Sequence, residues 1–131
     1  MSEERLIASV RHAYDAFSRG DFDSAAEVVH PDFELVTTGG FTSLRGADNF
    51  RAWMEPVTMD NLSAEPESFE VMGNHVLVGQ LNRGRGVASG INIENRSWGV
   101  WTFDEAGLAT RFVMFRDDEE SKAREAAGLS E

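Results

Sequence analysis

The chain has 131 residues, 41% hydrophobic and 27% charged, with no cysteine and a formal net charge of −11. That length favours one domain over residues 1–131 with a sizeable buried core, and the lack of cysteine excludes disulfides, thiol nucleophiles and thiolate metal sites. The acidity argues against nucleic acid, which needs a basic footprint, and against an anionic membrane surface, while no apolar run is long enough to span a bilayer.

Residues 2–19 are expected to form a helix, with Leu6, Val10, Ala13, Tyr14 and Phe17 as one apolar stripe, Ser2 as its cap and Gly20 as its end. This start is charged and amphipathic rather than signal-like, so a cytoplasmic location is the expectation. A second short helix follows from Asp21, with Phe22, Ala25, Val28 and Val29 inward and Pro31 as its stop. Residues 33–37 read as a strand broken by Gly39-Gly40, and the polar stretch to Gly46 reads as a loop. A third helix spans 47–55, with Phe50, Trp53 and Met54 on one face and Pro56 beyond its end.

The remainder reads as β. Strands are expected over 67–72, 75–87, 92–103 and 108–116, with turns at Gly73-Asn74, near Ser89-Gly90 and over 104–107. A C-terminal helix starts near Asp117 and ends at Gly128, with Leu129 packing back. Helices gather early and strands late, which indicates an α+β chain with helices on one side of a curved sheet.

The strand through "SWGVWTF" does not alternate as a half-exposed strand should. Trp98 and Val100 fall on one face, Trp101 and Phe103 on the other, and Gly99 interrupts the second. The last strand repeats the pattern, with Phe112 and Met114 opposite Val113 and Phe115. Apolarity on both faces of neighbouring strands means that both faces are covered.

Few motifs carry chemistry. "RGRGVASG" lacks the third glycine of the dinucleotide fingerprint and runs into a strand, not a helix. His12, His30 and His75 have no partners at metal-binding spacing, so neither a metal nor a cofactor is expected. His30, before Pro31, reads first as a hydrogen-bonded structural residue, and otherwise as a titratable group that the turn could aim inward.

Taken together, "YDAFSRGDFDSAAEVVHPDFEL", "RGADNFRAWM", "SWGVWTFDEAGLATRF" and "EAAGL" resemble the nuclear transport factor 2-like superfamily and, within it, the SnoaL-like group. The resemblance implies a cone: a curved antiparallel sheet wrapped around three N-terminal-side helices, plus a short C-terminal helix. It also implies a homodimer through the outer sheet face, here Trp98, Val100, Val113 and Phe115.

Pairing 78–87 with 95–103 across the Gly90 turn puts Gln80 near Trp101 and Asn82 near Gly99. Thr37 joins that face by the parity of Phe33 and Leu35. The candidate ligand-binding residues are Thr37, Trp53, Met54, Gly99, Trp101, Phe112 and Met114. Plain core packing is the competing reading for each. Tyr14, Gln80 and Asn82 are the candidates for polarising a carbonyl, and His30 is the candidate base.

The isomerases and epoxide hydrolases of this superfamily use buried carboxylates. The resemblance carries those positions to Thr37, Gly99 and Met114, none of which bears one, and carries the isomerase tyrosine to within one residue of Tyr14. The expected function is binding of a small apolar molecule, with isomerase- or cyclase-type turnover of a polyketide- or terpenoid-like substrate. The alternative is a non-catalytic ligand-binding, dimerisation or interaction domain.

Overall fold

The structure, a computed structural model, describes residues 2–37 and 42–129. Helix α1 spans Glu3–Ser18, and Ser2 caps it by accepting the Arg5 N–H at 3.3 Å. Helix α2, Phe22–Ala26, is capped by the Asp21 carboxylate, which accepts the Ser24 N–H at 3.2 Å. It stops well before Pro31. Strand β1, Val29–Thr37, contains that proline at an interruption of its ladder between Val29 and Glu34, where a missing N–H costs no sheet hydrogen bond.

Strand β2, Thr42–Arg45, occupies the segment read as loop and pairs with β1. The Gly39-Gly40 break lies outside the described residues. Helix α3 covers Ala47–Met54. Strand β3, Met59–Met72, begins eight residues before the expected strand. Its register shifts between Asp60 and Ser63 and again between Pro66 and Ser68, so its alternation is broken twice. Strands β4, His75–Gly86, β5, Asn92–Phe103, and β6, Ala109–Arg116, follow. A single 3-10 turn, Asp117–Glu119, then leads into helix α4, Glu120–Ala126.

The described strands form one six-stranded sheet in the order β2-β1-β6-β5-β4-β3. Its pairs are antiparallel except β1 with β6, which lie parallel because the intervening chain carries the sheet from one side of β1 to the other. The sheet is curved into an open cone. Phe33, Val76, Val78, Trp101 and Phe103 point inward and pack with Leu6 and Val10 of α1, Ala25 of α2 and Phe50 of α3.

The β4–β5 register places Val76 opposite Trp101, Val78 opposite Gly99, Gln80 opposite Ser97 and Asn82 opposite Asn95. It is offset by four residues from the expected pairing. Four is an even number, so every side chain keeps its face.

The outer face is covered from within the chain. Leu77, Val100, Val113 and Phe115 cluster with Ala123 and Ala127 of the α4 region, with Val36, Trp98 and Leu129 at the margin. Arg124 clamps the helix to β3 through a two-pronged pair with Glu70, its Nη2 donating at 2.8 Å. Trp98, Val100, Val113 and Phe115, where a homodimer surface is expected, thus pack against the α4 region within the chain. Val100 is only 3% exposed, and a second copy centred there would have to displace α4 first. The rest of that face is charged, with Asp60–Arg85, Glu67–Arg96 and Glu94–Arg83 paired across its strands. Among the described residues, no helix is long and apolar enough to cross a membrane.

Candidate functional site

A chamber of about 390 Å³ opens inside the cone, between the inner face of β4–β6 and helices α1 and α3. A volume of this size is typical of small-molecule sites. Trp101 is its floor. The Phe112 ring stacks on Trp101 at 4.2 Å between centroids and 22° between planes, and Tyr14 meets Trp101 edge-on at 6.0 Å. Phe50 and Trp53, stacked 6.2 Å apart on α3, form a second wall, completed by Met54 and Met114. Trp53 and Met114 are half-buried, and the exposed Arg83 and Asn95 mark a mouth.

Along one side of this aromatic space runs a strip of neutral polar groups. The Trp101 indole N–H donates to the Tyr14 hydroxyl at 3.2 Å. Tyr14 O–H donates to Gln80 Oε1, and Gln80 Nε2 donates to Asn82 Oδ1 at 2.7 Å. Asn82 Nδ2 then donates to Ser97 Oγ at 2.9 Å and to Asn95 Oδ1 at 3.1 Å. The direction of the chain follows from its first member. An indole N–H can only donate, so the phenol oxygen accepts and its proton goes onward, which fixes each amide in turn. Every link from Trp101 to the mouth is thus satisfied, and among the described residues no buried side-chain polar atom lacks a partner.

The strip does not titrate in the ordinary range. Burial pushes the Tyr14 phenol well above its usual value of 10.0, with the Trp101 N–H pulling weakly the other way. Tyr14 is therefore a permanent donor. The other chamber-lining residue with a charge, Arg83, is paired with Glu94 at 2.8 Å on the rim. Among the described residues no three His, Asp or Glu side chains gather as a metal site would require.

The sequence candidates sort as follows. Tyr14, Gln80, Asn82, Trp53, Met54, Trp101, Phe112 and Met114 all line the chamber. Thr37 does not, lining instead an adjoining recess at the ends of β1 and β6. His30 lies in β1 with its Nδ1 accepting the Asp32 N–H at 2.9 Å, a local turn contact outside the chamber. The inward-aimed base is corrected accordingly. Gly99 also needs correction as a ligand-binding residue, because it does not line the chamber. A Cβ there would sit 2.4 Å from Phe112 Cε1 and 3.2 Å from Gln80 Oε1. The missing side chain admits the Phe112 ring against Trp101 and brings Gln80 close.

Sequence reading missed Asn95 and Ser97, although both follow from Trp101 by stepping back along β5 in twos. It also missed Leu62 and Ala64, which lie in the bulged part of β3, where alternation gave no signal.

A family model described as the SnoaL-like domain matches residues 10–112. The aklanonic acid methyl ester cyclase AcmA of Streptomyces galilaeus is 32% identical over 90 residues, which make up 66% of this chain and 61% of that protein. The aligned part is thus less than two thirds of that relative's length. Among solved structures, an NTF2-like protein of unknown function from Burkholderia pseudomallei superimposes with a TM-score of 0.76 at 24% identity, covering 92% of this chain and 95% of the other. An LEH-like epoxide hydrolase of M. tuberculosis superimposes with a TM-score of 0.75 at 16% identity, covering 96% and 93%. At these identities the two structures speak for the fold alone.

Proposed function

The chain belongs to the SnoaL-like domain family, and on that premise we propose that it binds a flat, largely apolar small molecule bearing a carbonyl group, of the kind a polyketide cyclase handles. One observation carries the reading: a chamber of about 390 Å³ walled by aromatic rings has its polar groups confined to one neutral strip. Flat rings fit between the Trp101–Phe112 stack and Trp53, and an oxygen at the ligand's edge finds amide and hydroxyl donors. The chamber is not filled by Trp53, Trp101 and Met114, which argues against a purely structural module.

The chemistry such a lining supplies is limited. Hydrogen bonds from Tyr14, Gln80 or Asn82 would stabilise charge growing on a carbonyl oxygen, as ring closure through an enolate requires. The lining would also hold a flexible substrate in a folded shape. Among the described residues it offers no carboxylate or imidazole to take a proton. That absence favours a second reading, ligand binding without turnover, in which Tyr14, Gln80 and Asn82 only select the ligand.

Tryptophan fluorescence tests the binding. Fluorenone, a flat neutral ketone, should quench wild-type emission saturably and should still do so in Trp98→Phe, since Trp98 lies on the outer face. The quenching should largely vanish in Trp101→Phe. Quenching lost in Trp98→Phe and kept in Trp101→Phe would refute the chamber as the site.

A further inference from the structure

The chamber has a neighbour. A second recess of about 380 Å³ opens where β1 and β6 end, bordered by Thr37, Ser97 and Arg116. Asn82, Asn95 and Met114 line both spaces. Of these three residues common to both linings, Asn82 and Asn95 are joined by a hydrogen bond at 3.1 Å.

These shared parts can yield. Asn82 and Met114 are half-buried, and Asn95 is exposed. Asn82 Nδ2 already divides its donors between Ser97 at 2.9 Å and Asn95 at 3.1 Å, so an acceptor arriving from a ligand would exchange one bond for another. Methionine has an unbranched, adaptable side chain that can turn aside.

The recess differs in chemistry from the chamber. Hydroxyls of Thr37 and Ser97 and the amides of Asn82 and Asn95 border it. Its cations are compensated, since Arg116 meets Asp118 at 3.3 Å and Glu119 at 3.7 Å, and Arg96 is held by Glu67 at 2.9 Å. Nothing there favours an anion, and the neutral groups suit an uncharged donor or acceptor.

We propose that the chamber and the recess are two subsites of one binding site. The ligand's flat body occupies the chamber, and an uncharged hydrogen-bonding arm crosses between Asn82, Asn95 and Met114 into the recess. The inference rests on the binding of a flat carbonyl compound in the chamber, and its test separates the two.

Three probes suffice: fluorenone, fluorenone with a hydroxyethoxy arm, and fluorenone with a propoxy arm of the same length and shape but no hydroxyl. Their Kd values are measured by fluorescence titration, and circular dichroism checks the fold of each variant. Wild-type protein should prefer the hydroxyethoxy to the propoxy probe by about five- to tenfold, the worth of one neutral hydrogen bond. The ratio should fall to about one in Thr37→Val, which loses the recess hydroxyl, and in Met114→Trp, whose indole fills the passage. A wild-type ratio near one while fluorenone binds overturns the two-subsite inference and leaves the chamber reading standing. The preference surviving in either folded variant also overturns it. If fluorenone itself does not bind, the chamber reading fails and this inference falls with it.

Discussion

A methyl group decides how the floor of the chamber is built. Gly99→Ala would drive a carbon into the edge of Phe112 at 2.4 Å and unsettle the Trp101–Phe112 stack. Overpacking of this kind costs about 1–3 kcal/mol, so the variant should unfold at lower urea concentration than wild type, and a floor that no longer stacks should weaken fluorenone binding. Tyr14 stands at the other end of the same contact. In Tyr14→Phe the Trp101 N–H and Gln80 Oε1 lose their shared partner while still buried, a loss of about 1–3 kcal/mol measurable in the same urea experiment. The phenol also makes a pH prediction. Its native pKa is raised by burial above the unfolded value of 10.0, so the folded chain holds the proton more tightly. Stability from this group is complete below that pH and is lost as pH rises above it, at up to about 1.4 kcal/mol per unit. Tyr14 is the chain's one tyrosine, so ultraviolet absorbance reads it directly. Phenolate should appear only together with unfolding, and Tyr14→Phe should lack this component of the alkaline decline.

Elements differ in how plainly their sequences announce them. Helix α1 was legible from its stripe, and the two faces of β5 and β6 from their period of two, because every second residue there is large and apolar. The β4–β5 register was not legible. The connection over residues 87–91 is longer than a tight turn, and its length, not the strands, sets the offset. The first half of β3 stayed hidden behind two bulges, one between Asp60 and Ser63 and one after Pro66, and with it Leu62 and Ala64 of the chamber. What covers the outer face was also hidden. Helix α4 and its cap present Ala123 and Ala127 to the sheet, and alanines make too faint a stripe to be read as a packing face. The fit is nonetheless close, since Ala123 is 0% exposed. Ala123→Asp would bury an unpaired charge against Val100 and Val113, at a cost of several kcal/mol. The helix should detach, and the uncovered strands should bind the dye ANS and self-associate in sedimentation. A variant that neither binds dye nor associates would show that α4 is not what shields that face.

At the scale of the whole molecule, the fold holds a chamber whose described lining carries no carboxylate. Thr37 borders the adjoining recess, Gly99 is closed in by Phe112, Met114 lines the chamber, and His30 is held in β1 by a local turn contact. The protein should therefore not isomerise a β,γ-unsaturated ketosteroid above background, and His30→Ala should change nothing in that assay. Turnover well above background would mean that a base has been overlooked. On the proposed function, the cone's interior should receive a flat ligand and meet its carbonyl with the strip that runs from Tyr14 through Gln80 to Asn82. Proton–nitrogen correlation spectra of the labelled protein, titrated with fluorenone and in parallel with fluorene, which lacks the carbonyl, test it most directly. Both ligands should move the Trp101 indole N–H and leave that of Trp98 in place. Only fluorenone should also move the side-chain amides of Gln80 and Asn82. Shifts at Trp98 in place of Trp101, or amide shifts of equal size with both ligands, would rule out carbonyl recognition by the strip.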